Sequence, residues 1–157
     1  MKKSAYIVGL FSFFGGFYLG GKMLVDMIND YQTRADRNSA NMMLFNEWVA
    51  FLYSGGRVER YFQENHYKRI LIYGNGFAGT RLQQALEKTD IEIAAVMDKA
   101  AHADVDGAVI GVDADIPDVD CIVVTPVFSH AEIYDVLSKR TRIPIVSISE
   151  ILNREAP

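Results

Sequence analysis

The sequence predicts an α/β fold, a parallel sheet of about five strands in the order 3-2-1-4-5 behind a long N-terminal helix that includes a transmembrane segment. Three observations predict it. Short apolar runs at Ile70–Tyr73, Ile91–Met97, Cys121–Thr125 and Ile143–Ile148 alternate with helical segments, as strands covered on both faces by crossover helices do. Glycines 74, 76 and 79 directly follow the first run. The chain before Ser54 shows no such alternation and reads as helix, uncharged at first and heptad-spaced afterwards.

The 157 residues accommodate one domain of about 100 residues with an appendage, too few for a two-domain dehydrogenase. Half the residues are apolar and the net charge is -4. With no basic stripe, no nucleic acid partner is expected. The single cysteine, Cys121, sits in the run CIVVT. It has no partner for an intrachain disulfide, and neither a metal cluster nor a Cys/His nucleophile pair can be assembled around it. It reads as a buried strand residue in a reducing compartment.

Ser4 to Gly21 carries no charge, and Met23 to Val25 extend it past Lys22. A helix of that length crosses a bilayer of about 30 Å, so residues 1–25 are expected to be a transmembrane anchor. A cleaved signal peptide is favoured by Lys2 and Lys3 but opposed by the missing small-x-small site and by the apolar length. A core helix of this composition is a third arrangement. Gly16 and Gly20 form G-x-x-x-G, which permits a homo-oligomer through close helix approach. Lys2 and Lys3 nearly balance Lys22, Arg34 and Arg37, so charge does not orient the segment. The nucleotide motif and the unpaired Cys121 favour a cytoplasmic C-terminal part.

Residues 26–54 form the expected stalk. Leu24, Ile28, Tyr31, Ala35, Asn38, Met42, Phe45, Val49 and Leu52 alternate spacings of four and three, a heptad seam. One arrangement is a parallel coiled coil whose register Asn38 sets. The other lays the helix on the following domain, with Met43, Leu44, Trp48 and Phe51 widening the stripe. Both fit the first half, where Asp30, Arg34, Asp36 and Arg37 read as solvated, whereas the second half is expected to dock. The helix is expected to stop at Ser54-Gly55-Gly56. The nucleotide-binding domain, 55–157, then opens with a short amphipathic turn, Val58 to Glu64, closed by Asn65.

Gly74-Asn75-Gly76-Phe77-Ala78-Gly79 stands between the first strand and a helix whose expected apolar face is Leu82, Ala85 and Leu86. This is G-x-G-x-x-G in its strand, turn and helix context, the Rossmann-like fingerprint. The first glycine serves the turn, the second admits a pyrophosphate to the backbone, and the third lets helix and strand pack. The phosphate would rest on the helix N-terminus, where free N–H groups and the macrodipole favour negative charge. A tight turn without a ligand uses the same glycines for packing alone.

The second strand ends at Asp98, about 20 residues beyond the glycines, where such a unit places its ribose 2′-OH acceptor. A solvated carboxylate at a strand end is equally compatible, and Lys99 beside it suits NAD-like or phosphorylated ligands. His102, in the next loop, reads as a surface residue. Ala108–Val112 is a short third strand. The spacing of Asp113, Asp115, Asp118 and Asp120, with Pro117 among them and no central glycine, does not match a calcium loop. That stretch reads as a solvated connection, and no metal site is expected. The fourth strand leads through Pro126 to Ser129-His130-Ala131-Glu132, a capping box that starts a helix running to about Arg140. Ser149 begins a terminal turn. With right-handed crossovers, Thr125, Pro126, Ser129 and His130 face the glycine loop where the strand order reverses. His130 is placed to donate to a phosphate, or to face solvent as a first-turn residue.

No catalytic residues are assigned. The one Tyr-x-x-x-Lys match, Tyr18 with Lys22, lies upstream of the cofactor motif. A metal-binding His/Glu set, a nucleophile elbow and a Walker lysine are lacking, so an enzyme is not the first expectation.

The runs Asn46-Glu47-Trp48, Tyr61-Phe62, Tyr67 to Ile70, IYGNGFAG, IEIAAVMDK, VDCIVVTPVF and IPIVSISEIL resemble small Rossmann-like, nucleoside-diphosphate-sugar epimerase-like proteins of bacterial surface-polysaccharide biosynthesis. They are more distantly similar to the nucleotide-binding domain of the large polysaccharide sugar dehydratases. The resemblance implies that Gly74, Gly76, Gly79 and Asp98 hold NAD(P) or another nucleotide, and it carries over no catalytic position. The two-part fingerprint without a catalytic pair leads to a membrane-anchored accessory protein of surface-glycan assembly that senses NAD(P) or a nucleotide sugar or presents it to glycan-assembly enzymes. The alternatives are a minimal epimerase or oxidoreductase completed by a second copy or a partner subunit, and a scaffold for membrane glycosyltransferases.

Overall fold

The computed structural model describes the backbone of residues 2–100 and 109–154, with side chains at 19 and from 21 onward within those ranges. Helices α1 (Lys2–Tyr53) and α2 (Val58–Glu64) precede β1 (Arg69–Tyr73), α3 (Phe77–Leu86), β2 (Glu92–Asp98) and β3 (Val109–Gly111). Then come β4 (Cys121–Val124), α4 (His130–Ser138), β5 (Ile145–Ser147) and α5 (Ile148–Arg154). His102 lies outside the described residues.

The expected single-pass membrane protein is corrected: among the described residues, no helix is long and apolar enough to cross a membrane. In the expected anchor, Ser4, Tyr6, Gly9, Ser12, Gly15, Gly16, Tyr18, Gly20 and Gly21 interrupt the apolar residues, and such residues weaken the transfer of a helix into hydrocarbon. The side chains of most of that segment, with the Gly16/Gly20 pair, lie outside the described residues.

The chain divides into two compact units, Met1–Ser39 and Ala40–Pro157. In the first, Leu24, Val25, Ile28 and Tyr31 are exposed, and Arg34 pairs with Asp30 at 3.0 Å one turn away. In the second, the last turns of α1 belong to the domain, because Leu44, Trp48 and Phe51 are buried in its core. Spacings of four and three put these three side chains on one stripe of the helix. The expected docking of the second half of this helix is therefore observed, and the compact unit begins at Ala40 rather than at residue 55. After α2 the Asn65 side chain donates to the Tyr61 carbonyl at 2.8 Å, while His66, not Asn65, takes the left-handed conformation at φ 58°.

All five strands are parallel in the order β3-β2-β1-β4-β5, the order expected of a Rossmann-like sheet. The pleat sends Ile70 and Ile72 to one face, with α1, α2, α3 and α5, and Leu71 and Tyr73 to the other, with Ile133 and Leu137 of α4. Covered on both faces, β4 is buried at every position, which is why its run is continuously apolar. Asp120 at its head accepts from the backbone N–H groups of Lys68 (2.7 Å) and Arg69 (2.8 Å). Those two donors, Lys68 first, hold its carboxyl below the usual carboxylate range. One member of the acidic run thus fixes the start of β4 against β1 instead of being merely solvated.

Five smaller expectations are also corrected. Ala85 is exposed, and the buried face of α3 is Ala78, Gly79, Leu82 and Leu86. The capping box at Ser129 is not formed, because a 3-10 turn, Val127–Ser129, runs into α4 and leaves no side-chain cap bond. Helix α4 ends at Ser138. The last strand is only Ile145–Ser147, and the expected terminal turn is α5, whose Ile148, Ile151 and Leu152 complete the core.

Burial pushes the Cys121 thiol up to about 12, with Glu150 and Asp120 adding to it. A thiol kept protonated and covered does not react. Aqueous disulfide reagents are therefore expected to titrate Cys121 only after denaturation. A stoichiometric reaction in native buffer would contradict its placement.

Candidate functional site

The glycine loop joins β1 to α3, and its three glycines meet different physical demands. Gly74 has φ +104°, and a Cβ there would lie 2.6 Å from the Thr125 hydroxyl and 2.9 Å from the Pro126 ring. A Cβ on Gly79 would lie 1.9 Å from the Gly74 carbonyl oxygen. The chain's own packing therefore requires both. Gly76 has an ordinary φ of -79° and ψ of -165°, and a Cβ there would meet nothing within 4 Å. Gly76 is also the N-cap of α3 and, having no side chain, supplies no cap hydrogen bond. The N–H groups of Phe77, Ala78 and Gly79, at the first three helical positions, are thus left for another acceptor.

Three neighbours hold the loop. The backbone N–H of Gly74 donates to the Met97 carbonyl at 2.7 Å. Thr125, 4% exposed, donates through its hydroxyl to the carbonyls of Tyr73 (3.0 Å) and Gly74 (3.1 Å). Thr125 and Pro126 therefore brace the loop from below, and the Thr125 hydroxyl proton is spent on those carbonyls. Asp98 accepts from the Asn75 N–H at 2.6 Å through one oxygen and from the Ala100 N–H at 2.7 Å through the other. The expected ribose acceptor therefore reaches the loop and ties it down, and each oxygen keeps a second lone pair. The Gln83 side chain donates to the Asn75 side chain and to the Gly79 carbonyl, both at 3.3 Å.

Gly74 through Gly79 are thus brought together with Asp98, Thr125 and Pro126. Among the described residues, no hydrogen bond or ring contact joins Ser129 or His130 to the loop. His130 has a buried Nε2 with no partner among the described residues, and its ring lies 6.1 Å from that of Tyr134. Lys99 lies at a separate cleft of about 340 Å³, lined also by Tyr73, Asp113, Glu132, Leu137 and Arg140. There the Arg140 guanidinium donates to the Val112 and Ala114 carbonyls and ties the β3–β4 connection to α4. Burial first, then Asp98, raises the pKa of the Tyr73 phenol, which stays protonated at neutral pH. Among the described residues there is no cluster of three or more metal-ligating side chains.

Sequence reasoning missed two residues beside the loop. Phe45 of α1 lies with its ring centroid 5.9 Å from that of Phe77, and the Arg81 guanidinium sits 5.4 Å over the Phe77 ring. Phe45 was legible only as a heptad position, and Arg81 carried no signal at all.

The fold and the loop define a Rossmann-like α/β protein, with a glycine turn at the point where the strand order reverses. No family model, curated protein or solved structure matches the chain.

Proposed function

We propose that this chain is a nucleotide-binding accessory protein of bacterial surface-polysaccharide biosynthesis, which holds NAD(P) or a nucleotide sugar on the glycine loop for a partner enzyme. The observation that carries the nucleotide is Gly76. It is the one glycine of the three that neither backbone conformation nor packing demands, and it stands at the uncapped start of α3. A phosphate there gives the free N–H groups their acceptor and meets the positive end of the helix. The resemblance described above supports the pathway. The accessory role is favoured because, among the described residues, Asp98 and Thr125 are the ionisable or hydroxyl side chains bonded to the loop, and both are engaged with its backbone.

Gly76→Ala separates this reading from a turn that is only structural. The variant is expected to melt within a few degrees of the parent, since its methyl group meets open space and only the modest N-cap preference for glycine over alanine is lost. It is also expected to lose at least about tenfold in affinity for whichever of NAD(H), NADP(H) or UDP-sugars the parent binds, as when a close backbone approach to phosphate is blocked. Calorimetric titration of the full chain reads both. No binding of any of these ligands by the folded parent, or undiminished binding by the variant, sinks the reading.

A further inference from the structure

Two phenylalanines flank the loop and serve no core. Phe77, the first residue of α3, is 46% exposed, and Phe45 on α1 is 47% exposed. The buried stripe of α1 in this unit is Leu44, Trp48 and Phe51, and that of α3 is Ala78, Leu82 and Leu86. Removing either ring from the surface would therefore leave the hydrophobic core intact. The rings nonetheless lie against each other, 5.9 Å between centroids and tilted by 54°. Such tilted pairs hold their geometry beyond simple burial. Arg81, one turn further along α3, rests its guanidinium 5.4 Å above the Phe77 ring and donates to the Gln84 side chain at 2.8 Å. The guanidinium is thereby placed over the ring.

An exposed pair of rings beside a fixed cation suits a ligand with a flat π-face and an anionic tail. Any base presents such a face, and stacking on protein aromatics is worth about 1–3 kcal/mol per base. We infer that Phe45 and Phe77 stack the base of a nucleoside diphosphate whose phosphate rests on the first turn of α3, with Arg81 supplying the neutralising charge. This inference rests on the nucleotide reading of the loop. It makes the end of α1 part of the binding site, and it predicts that affinity depends on the base as well as on the phosphates.

The test titrates ADP, UDP and inorganic pyrophosphate into the full chain and its variants, with melting curves for each protein. Phe45→Leu and Phe77→Leu keep apolar bulk but remove the ring. Each is expected to weaken ADP and UDP about tenfold and to melt like the parent. Phe45→Leu leaves pyrophosphate affinity unchanged, and Phe77→Leu, which also removes the ring beneath Arg81, weakens pyrophosphate less than it weakens the nucleotides. Phe77→Trp is expected to hold or improve nucleotide affinity, and Arg81→Gln to weaken all three ligands. Leucine variants that bind nucleotide as the parent does, or that lose nucleotide and pyrophosphate equally, overturn the stacking pair and leave the loop reading standing. A parent that binds neither nucleotides nor pyrophosphate overturns both.

Discussion

Gly79→Ala is expected to be the most damaging small substitution in the domain. Its methyl carbon would sit 1.9 Å from the Gly74 carbonyl oxygen, a backbone atom that no side-chain rotation can move aside. Relief requires α3 to lift from β1, which strains the turn and opens the packing of Ala78 and Leu82 in the core. Overpacking in well-packed proteins costs about 1–3 kcal/mol and occasionally more. A forced backbone contact belongs at the upper end, at or above about 3 kcal/mol. For a domain of this size that lowers the melting temperature by more than about 10 °C. Circular dichroism melts of Gly79→Ala beside Gly76→Ala give the sharpest comparison, since the second methyl meets nothing. Similar melting of the two variants would show that the loop does not pack as described.

The second large effect concerns where the domain begins. A fragment starting at Gly55 lacks Leu44, Trp48 and Phe51, which are 2%, 7% and 2% exposed in the core. Truncating one such side chain typically costs about 2–5 kcal/mol. Losing three with the backbone that carries them approaches the whole stability of a small domain, about 5–15 kcal/mol. The fragment 55–157 is therefore expected to be unfolded or molten, whereas 40–157 is expected to unfold cooperatively. Far- and near-ultraviolet circular dichroism of the two reads this. Trp48, the single tryptophan, additionally reports burial in the longer one by its emission. A cooperatively folded 55–157 would show that α1 adds nothing to the core.

Most of the sheet was legible because its signals are local. Each strand is a run of apolar residues bounded by turn chemistry, and both faces of this sheet are covered, so the runs show no alternation to confuse with a half-exposed strand. The strand order was the one expected of a Rossmann-like unit carrying its glycine turn after the first strand, and the sheet has it. Element ends were less legible. The Ser129 box matched a helix start, yet a preceding 3-10 turn took over the approach to α4. The segment after Ile148 became a helix because Ile151 and Leu152 find the core at helical spacing. The membrane expectation failed for a related reason: absence of charge is not the same as apolar length, and glycine, serine and tyrosine thin the segment.

The site divides in the same way. Glycines 74, 76 and 79 and Asp98 were identifiable because their spacing is itself the geometric requirement of a strand-turn-helix unit. What each one does needed the tertiary structure. A pattern of glycines cannot say which are demanded by neighbours, and here Thr125, Pro126 and the Gly74 carbonyl demand two of the three. Asp98 was placed at the end of its strand by sequence, but its bond to the Asn75 N–H depends on β2 lying beside β1. Thr125 reads from sequence as a ligand residue, and the tertiary structure gives it a bracing role as well, its hydroxyl donating to two carbonyls beneath the loop.

By itself, then, the sequence determined the α/β class and the position of the turn, because these rest on periodicity and on residues whose backbone demands are local, and through the turn it pointed to the strand order of that fold type. The docking of the end of α1 was legible in its widened apolar stripe, but only the tertiary structure decided that Gly76, alone of the three loop glycines, faces open space, and that Phe45 meets Phe77. Those facts depend on contacts between residues far apart in the chain, and no local pattern records such contacts.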